Sequence, residues 1–234
     1  MFTGIVQATA RIAALEDRAG LRSFSLEFPP GFCADLAIGA SVAVDGVCLT
    51  VTEIVSPTCA RFDVMQQSLN ITTLGHHALG ARVNVERAAK EGAEIGGHPL
   101  SGHIDCLGRL IERRELENNR VWRISLPEAF RRYVFAKGYI ALHGASLTVA
   151  EVDRQQGWFE VWLIPETRRA TVFEALQVGD WLNIEIDRST QVVVDTVYDA
   201  VQHSLGRLTP LLQALLAEKG LALDDFLPRP ELPR

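Results

Sequence analysis

Short runs of alternating or β-branched hydrophobic residues, broken by turn residues, fill the chain up to Asp187. In the first half, these runs predict strands over Ser41–Val44, Val47–Ile54, Ala60–Met65 and Arg82–Arg87. In the second half, they predict strands over Tyr139–Leu142, Ser146–Val152, Trp158–Ile164 and Trp181–Asp187. Asp45-Gly46 and His143-Gly144 each lie between two runs. Because glycine tolerates positive φ, these dipeptides predict tight hairpins.

The two halves are copies of one another. Ser41–Val51 returns as Tyr139–Val149, Phe2–Val6 returns as Leu100–Ile104, and Gly80–Glu86 matches Gly179–Glu185. A period of about 100 residues is that of a small domain and far too long for a solenoid repeat. The sequence therefore predicts a first domain over residues 1–97, a second over 98–188, and a C-terminal segment over 189–234.

Five or six short strands in each copy predict an all-β fold of two small closed antiparallel barrels, since closure hides the strand edges. Thr72–Leu79 and Thr171–Leu176 are the candidate helices of the two copies, and Gly80 and Gly179 follow them as stops.

The pattern changes after Asp187 to helical spacing, with an apolar stripe formed by Val193, Val197, Val201, Leu205 and Leu208. A second helix is predicted over Pro210–Lys219, with Thr209 as its N-cap and Gly220 beyond its end. The end of the chain, around Leu227–Pro230, is predicted to be frayed.

Composition narrows the class of protein. The hydrophobic content of 47% suits an ordinary globular protein, and the net charge of −6 argues against nucleic acid or an anionic membrane as a partner. No long apolar run or basic leader is present, and the four cysteines have no CxxC spacing. These features predict a cytoplasmic protein with free thiols. The sequence has no metal-binding motif, so a metal site is not expected, and it has no GxGxxG or Walker sequence that would hold nucleotide phosphates.

Positions where the copies differ are the candidates for chemistry. Ile5 corresponds to His103, Cys48 to Ser146, and Asp45 to His143. His103 is interpreted either as a linker histidine or as a functional one, and Cys48 either as a small buried residue or as a nucleophile. Thr50 and Thr148 share a strand face with Cys48 and Ser146. Such a face is too polar for a barrel interior, which favours contact with a ligand.

Other prominent side chains have structural interpretations. His76 and His77 are expected at the surface. The four tryptophans are expected in a core or an interface: Trp122, Trp158, Trp162 and Trp181.

Several ordered motifs together resemble the riboflavin synthases: Met1–Val6, Gly46–Val51, Val83–Ala88, Gly96–His98, Ser101–Asp105, Lys137-Gly138, Ser146–Val149 and Leu163–Thr167. The resemblance extends to about Val197. It implies two six-stranded Greek-key barrels of the flavin-reductase-like type and a C-terminal helix that holds a homotrimer. It further implies one lumazine site in each barrel, with catalysis where barrels of two subunits meet. Association with lumazine synthase is a further implied partner.

The implied reaction is a dismutation of two molecules of 6,7-dimethyl-8-ribityllumazine, which gives riboflavin and 5-amino-6-ribitylamino-uracil without a metal or redox cofactor. Two copies of one ligand need two similar pockets held face to face. The donor loses a proton from its acidic 7-methyl group, and the acceptor is activated by addition at its C7.

The resemblance also implies the site residues. Those of the chemistry are His103, Cys48, Ser146 and Thr148, with Phe2 ordering the N-terminal strand. His143 is a further catalytic candidate, at a position where this chain departs from the family. The backbone that reads the ring would be Gly4, Ile5, Val6, Leu49, Thr50, Gly102, Ile104 and Leu147. The groups that hold the ring and ribityl chain would be Lys137, the first-copy segment Asp63, Val64, Met65, Gln66, Gln67 and Ser68, and the second-copy segment Leu163, Ile164, Pro165, Glu166, Thr167 and Arg168.

The chain departs from the family pattern at two places. Gln66-Gln67-Ser68 stands where Lys-Glu-Thr is usual, and His143 stands where an aspartate is usual. One interpretation of His143 is a proton acceptor, and the other is a hairpin tip that faces solvent. The alternative to an active synthase is a lumazine- or flavin-binding relative without turnover.

Overall fold

Two closed antiparallel barrels of six strands each form the body of the protein in the computed structural model, which describes residues 1–117 and 119–221 apart from the side chain of Arg207. The strands of the first barrel are β1 (Ala8–Arg18), β2 (Leu21–Glu27), β3 (Ser41–Val44), β4 (Val47–Ser56), β5 (Cys59–Met65) and β6 (Arg82–Arg87). Those of the second are β7 (Cys106–Glu115), β8 (Arg120–Ser125), β9 (Tyr139–Leu142), β10 (Ala145–Asp153), β11 (Trp158–Leu163) and β12 (Trp181–Ile186).

Both barrels have the same strand order, β1-β2-β5-β4-β3-β6 in the first and β7-β8-β11-β10-β9-β12 in the second. Alternation along each strand places every second side chain inside. On β5, Ala60, Phe62 and Val64 are buried in the core, while Asp63 and Met65 are exposed. The predicted all-β fold of two barrels is therefore confirmed.

All eight predicted strands are present, with ends that differ by no more than two residues. The sequence did not locate β1, β2, β7 and β8 individually. The barrels lie within the predicted domain ranges, whose limits at residues 97 and 188 stay a prediction. The tryptophans differ in burial: Trp122 and Trp158 are buried, whereas Trp162 and Trp181 are about half exposed.

The predicted helices Thr72–Leu79 and Thr171–Leu176 are present only as short 3₁₀ turns, Thr73–His76 and Val172–Ala175, and not as α-helices. Each copy instead has an α-helix directly after its fifth strand, α1 (Gln66–Ile71) and α2 (Pro165–Ala170), followed by a short 3₁₀ turn. A threonine ends each helix in extended conformation, and its hydroxyl donates back to a carbonyl four residues earlier, from Thr72 to Ser68 and from Thr171 to Thr167.

The two hairpin predictions are confirmed. Asp45 and Gly46 have φ of +45° and +82°, and His143 and Gly144 have +45° and +79°. Positive φ at both central residues is the signature of the type I′ turn. The tips meet where the barrels join, because a Cβ on Gly46 would lie 2.7 Å from the backbone nitrogen of Gly144.

Met1–Arg188 forms one compact unit, and a second begins at Ser189. The second contains most of α3 (Arg188–Glu218), a single helix where two were predicted. Pro210 lies inside it, and the Thr209 hydroxyl donates to the carbonyl of Leu205 instead of capping a new helix. Gly220 does follow the helix end, with φ of +70°. The predicted frayed end lies outside the described residues.

Candidate functional site

Cys48, Thr50, Ser146 and Thr148 lie on the outer faces of β4 and β10. Cys48 and Ser146 are half-buried and the two threonines are exposed, while the intervening Leu49 and Leu147 are buried. The polar faces thus point away from the barrel interiors, where a polar face would have been out of place. Each barrel offers one such face to a ligand.

Each outer face is covered by the segment that precedes the other barrel. The Ser146 N–H donates to the carbonyl of Gly4 (2.8 Å), and the Cys48 N–H donates to the carbonyl of Gly102 (2.8 Å). Phe2 and Leu100 pair with each other through two backbone hydrogen bonds. We call Phe2–Ile5 and Leu100–Ile104 the crossing segments. They complete each candidate site with backbone from the opposite copy.

Two buried carboxylates hold the crossing segments in place. Glu86 accepts hydrogen bonds from the Thr3 N–H and hydroxyl at 2.6 and 2.7 Å, and from the Gly4 N–H at 3.1 Å. Glu185 binds Ser101 and Gly102 in the same way. Burial raises the pKa of both carboxyl groups, and these hydrogen bonds oppose that shift. The sequence repeat contained both glutamates but did not indicate this role.

Gly4 and Gly102 fit because they have no side chain. Their φ angles are +76° and +80°. A Cβ on Gly4 would lie 2.6 Å from Cβ of Ser146, and one on Gly102 would lie 2.6 Å from Cβ of Cys48. Phe2 is fully buried, and its ring lies 2.9 Å from the Cβ that Gly102 lacks. The ordering role predicted for Phe2 stays a prediction.

A pocket of about 720 Å³ opens at the outer face of the second barrel. Its lining contains Arg114, Lys137, Ser146, Leu147, Thr148, Ala150, Glu151, Glu160, Trp162, Ile164 and Thr167. Glu160 is buried and receives hydrogen bonds from Arg114 and Arg123. The pocket therefore combines an apolar wall at Trp162 and Ile164 with charged and hydroxyl groups, which suits a planar heterocycle that carries a polyol chain.

A histidine that the sequence did not single out lies beside Ser146. Nδ1 of His98 is 2.6 Å from the Ser146 hydroxyl, and the ring stacks on Tyr139 with centroids 5.0 Å apart. Gly97 brings this segment close, since a Cβ there would lie 2.6 Å from Cβ of Ser146. The sequence analysis noted Gly96-Gly97-His98 only as a motif shared with the riboflavin synthases and did not predict the contact of His98 with Ser146.

The predicted first-barrel residues lie along the end of β5 and in α1. Asp63 accepts a hydrogen bond from the Ser23 hydroxyl (2.6 Å), the Gln66 amide donates to Asn70 (2.9 Å), and Met65 and Gln67 are exposed. His103 is exposed and directly follows Gly102, which lies against Cys48.

Some predicted residues are not brought to the sites. Leu49, Val64 and Leu163 have core side chains, so only their backbone can face a ligand. Pro165 and Arg168 line a different surface depression, and Glu166 is paired with Arg169. These side chains do not line the pocket of the second barrel.

His143 lies at the junction of the barrels and is buried, so the solvent-facing interpretation is wrong. Its Nδ1 accepts a long hydrogen bond from the Asn183 N–H (3.4 Å), whereas Asp45 accepts one from the Asn84 N–H (2.7 Å). Burial lowers the pKa of His143, an effect that the nearby Asp45 carboxylate opposes. His143 lines a pocket at the junction rather than the one that contains Ser146.

The prediction that His77 lies at the surface is also wrong, because His77 is mostly buried against Asp45. The Asp45 carboxylate lies 2.8 Å from Nε2 of His77, which is only 20% exposed. The amides of Asn84 and Asn183 clamp the junction by donating to the carbonyls of His143 (3.0 Å) and Asp45 (2.9 Å), each in the opposite barrel.

Comparison with known protein families identifies the class to which this chain belongs. The model of the lumazine binding domain matches residues 3–88 and 101–187, once for each barrel. The chain therefore belongs to the family of lumazine-binding proteins.

Curated relatives make the assignment more specific. The chain is 45% identical to the riboflavin synthase of Escherichia coli (strain K12) over 198 residues, which are 84% of this chain and 92% of that protein. It is 40% identical to the riboflavin synthase of Mycobacterium bovis (strain ATCC BAA-935 / AF2122/97) over 188 residues, 80% of this chain and 93% of that protein.

Solved structures support the fold. LumP complexed with 6,7-dimethyl-8-(1'-D-ribityl) lumazine matches with a TM-score of 0.71, and LumP complexed with riboflavin matches with 0.73. Each has 24% sequence identity, and each match covers 80% of this chain and 99% of the other.

Proposed function

We propose that this chain catalyses the riboflavin synthase reaction, the dismutation of two molecules of 6,7-dimethyl-8-ribityllumazine to riboflavin and 5-amino-6-ribitylamino-uracil. The observation that carries the proposal is the duplicated outer face, with Cys48 and Thr50 in one copy and Ser146 and Thr148 in the other. Each is completed by a crossing segment. Identity of 45% to a riboflavin synthase supports the same reaction.

The proposed roles follow from position. His103 is exposed next to the first-barrel site and is the candidate base for the 7-methyl proton of the donor. Cys48 and Ser146 are the candidate nucleophiles or hydrogen-bonding groups at C7 of the acceptor. Lys137, Trp162, Ile164 and Thr167 line the second-barrel pocket and would hold ring and ribityl chain.

We further propose a homotrimer in which a first barrel of one subunit faces a second barrel of the next. The apolar stripe of α3 supports an intersubunit contact, since Val193, Val197, Val201, Leu205 and Leu208 are each about half exposed or more in the single chain. Four free cysteines are compatible with a reducing compartment such as the cytoplasm. Among the described residues, no helix is long and apolar enough to span a membrane. Association with lumazine synthase stays a prediction.

The test is to mix the purified protein with 6,7-dimethyl-8-ribityllumazine and follow riboflavin by absorbance and fluorescence. Riboflavin should form, and His103→Ala and Cys48→Ala should each lower turnover at least about tenfold with the circular dichroism spectrum unchanged. Lumazine that binds without riboflavin formation would show a binding protein without turnover.

A further inference from the structure

A second pocket lies where the two barrels meet, and the proposed reaction does not use it. Its volume is about 480 Å³, within the range of about 300–1,000 Å³ that is typical of small-molecule sites. Both copies line it with the same elements, namely the hairpin tip, the 3₁₀ turn after the short helix, and the start of the last strand of the barrel. We call it the junction pocket. It is separate from the pocket that contains Ser146.

A local twofold axis relates the two sides of the junction pocket. The Thr73 N–H donates to the side-chain oxygen of Asn183, and the Val172 N–H donates to that of Asn84, each at 2.8 Å. Thr73 and Val172 begin the 3₁₀ turns of their copies. Equivalent backbone is therefore held in the same way on both sides, and the pocket has a first-copy wall and a second-copy wall.

The side chains on the two walls differ although their backbone is equivalent. At three equivalent positions the first-copy wall is polar and the second-copy wall is apolar or aromatic: Thr73 and Val172, His77 and Leu176, and Arg82 and Trp181. A pocket with one polar and one apolar wall suits a ligand that has a hydrogen-bonding edge and an apolar face.

The polar wall has hydrogen-bonding capacity that the fold leaves unused. Thr73 is 4% exposed, and its hydroxyl has no hydrogen-bond partner within residues 1–117 and 119–221. A buried hydroxyl without a partner costs stability, and a ligand that bonds to it removes that cost. Asp45 is already occupied, because its two carboxylate oxygens lie 2.7 Å from the Asn84 nitrogen and 2.8 Å from Nε2 of His77.

Trp181 gives the other wall an aromatic surface. It is 48% exposed in the single chain and lines the pocket. A planar ring that stacks on an exposed indole buries apolar surface and gains dispersion energy. The lining also contains one arginine, Arg82, and one exposed carboxylate, Asp180, whose charges offset each other and favour an uncharged ligand.

We propose that the junction pocket binds an uncharged planar heteroaromatic molecule of nucleobase size, which stacks on Trp181 and forms a hydrogen bond with the Thr73 hydroxyl. The site is additional to the two outer faces and does not depend on the proposed synthase function. Since its two walls belong to different barrels, a bound ligand contacts both and stabilises the folded chain.

The test is calorimetric titration of the full-length protein with adenine, an uncharged heterocycle of two rings. One molecule should bind per chain, and the midpoint of thermal unfolding should rise with the adenine concentration. Trp181→Ala should weaken binding at least about tenfold, whereas Trp181→Phe, which keeps an aromatic ring, should stay within about threefold. Val178→Ala removes an exposed apolar side chain outside the lining, so this matched control should bind adenine normally.

Thr73→Val tests the hydrogen bond, because it keeps the side-chain shape and introduces the residue type of the second-copy wall. It should weaken adenine binding about fivefold. It should not lower the stability of the free protein, since the hydroxyl has no partner to lose within the described part of the chain. Both Thr73→Val and Trp181→Ala should keep the riboflavin formation of the unmodified protein.

Two competitors define the place and the class of the ligand. Saturating riboflavin should leave adenine binding unchanged, because the outer faces lie elsewhere. Adenosine 5′-monophosphate should bind at least about tenfold more weakly than adenine, because Arg82 is offset by Asp180. No binding of adenine, displacement by riboflavin, equal binding of the monophosphate, or normal binding in both Trp181→Ala and Thr73→Val would each overturn the inference. Absence of riboflavin formation by the unmodified protein would instead refute the proposed function and leave the titration of the junction pocket unaffected.

Discussion

At position 143, the imidazole occupies the place that the Asp45 carboxylate has in the first barrel. Both side chains accept a backbone N–H from an asparagine of their own barrel, Asn183 and Asn84. The copy difference at this position therefore has a structural explanation in the junction between the barrels. A proton-transfer role for His143 stays a prediction, and its location beside Asp45 points to stability as the property to measure.

We predict that His143 makes folding sensitive to mild acid. Burial lowers the pKa of His143 below the value of about 6.5 for an unfolded histidine. As the pH falls below that value, the unfolded chain takes up a proton that the folded chain does not. The free energy of unfolding should then decrease by up to about 1.4 kcal/mol per pH unit for this proton. Urea unfolding at several pH values measures this slope.

The matched control for this experiment is His143→Asn, whose amide oxygen can still accept the Asn183 N–H but does not titrate. The slope should be shallower in this variant, with Asp45 and His77 unchanged in both proteins. Equal slopes would show that His143 does not carry the effect. His143→Asp is a poorer control, because it places a second carboxylate near the buried Asp45.

Sequence comparison of the copies identified Cys48, Ser146 and His103 because they differ in type at equivalent positions. It could not identify Glu86 and Glu185, since both copies have the same residue there and their partners lie more than 80 positions away. His98 was missed for a related reason. Its contact with Ser146 joins the linker to the second barrel, and no local pattern encodes that distance.

At the scale of elements, the crossing segments connect the fold to the proposed site. Gly102 has φ of +80°, and a Cβ there would lie 2.6 Å from Cβ of Cys48. We predict that Gly102→Ala lowers the free energy of unfolding by about 2–5 kcal/mol, the sum of backbone strain and overpacking. It should also reduce riboflavin formation, because the segment that carries His103 must shift. Thermal unfolding and the riboflavin assay measure the two effects.

Gly20 provides the control for this substitution. Its φ of +81° matches that of Gly102, but a Cβ there would meet no atom within 4 Å. Gly20→Ala should therefore show only the strain, about 1–2 kcal/mol, and keep normal activity. If the two variants were equally stable and equally active, close packing between Gly102 and Cys48 would have no consequence.

The strands and the helix after Asp187 were predictable, whereas the short helices α1 and α2 and the continuation of α3 through Pro210 were not, for a physical reason. Alternating burial on β4, β5 and β10 repeats every two residues and is visible in a short window. The helices α1 and α2 are six residues long, bury few side chains and give no comparable period. In α3, Thr209-Pro210 has the composition of a helix start, yet the Thr209 hydroxyl donates to the carbonyl of Leu205 in the preceding turn of the same helix. The local composition is compatible both with the start of a new helix and with the continuation of α3, so it does not predict which of the two occurs.

At the scale of the whole molecule, the two barrels depend on each other, because the crossing segment that precedes each barrel lies against the outer face of the other. Each outer face needs backbone from the other copy, through Gly4 at Ser146 and Gly102 at Cys48. An isolated barrel would therefore lack part of its own site. A reaction between two identical molecules fits a protein that holds two related but unlike sites, provided that the sites face one another. In the proposed homotrimer, the facing sites belong to different subunits. An element outside the two barrels must then hold the subunits together.

We predict that α3 supplies that assembly. Its exposed stripe continues beyond Leu208 to Leu212 and Leu215, which are also exposed in the single chain. Truncation before Val193 should give monomers in sedimentation, because the stripe that would be buried between subunits is removed. The truncated protein should still unfold cooperatively, since both barrels remain, but it should form riboflavin at less than about a tenth of the normal rate.

A double substitution, Val197→Glu with Leu205→Glu, offers the same test without removal of the helix. Charge within the stripe should prevent association, while the exposed positions should leave the barrels intact. Val178→Glu is the matched control, because Val178 is also exposed but lies outside α3. Association that survives both the truncation and the double substitution would show that the subunits meet through another surface. Full activity in a demonstrated monomer would mean that the two sites of one chain suffice.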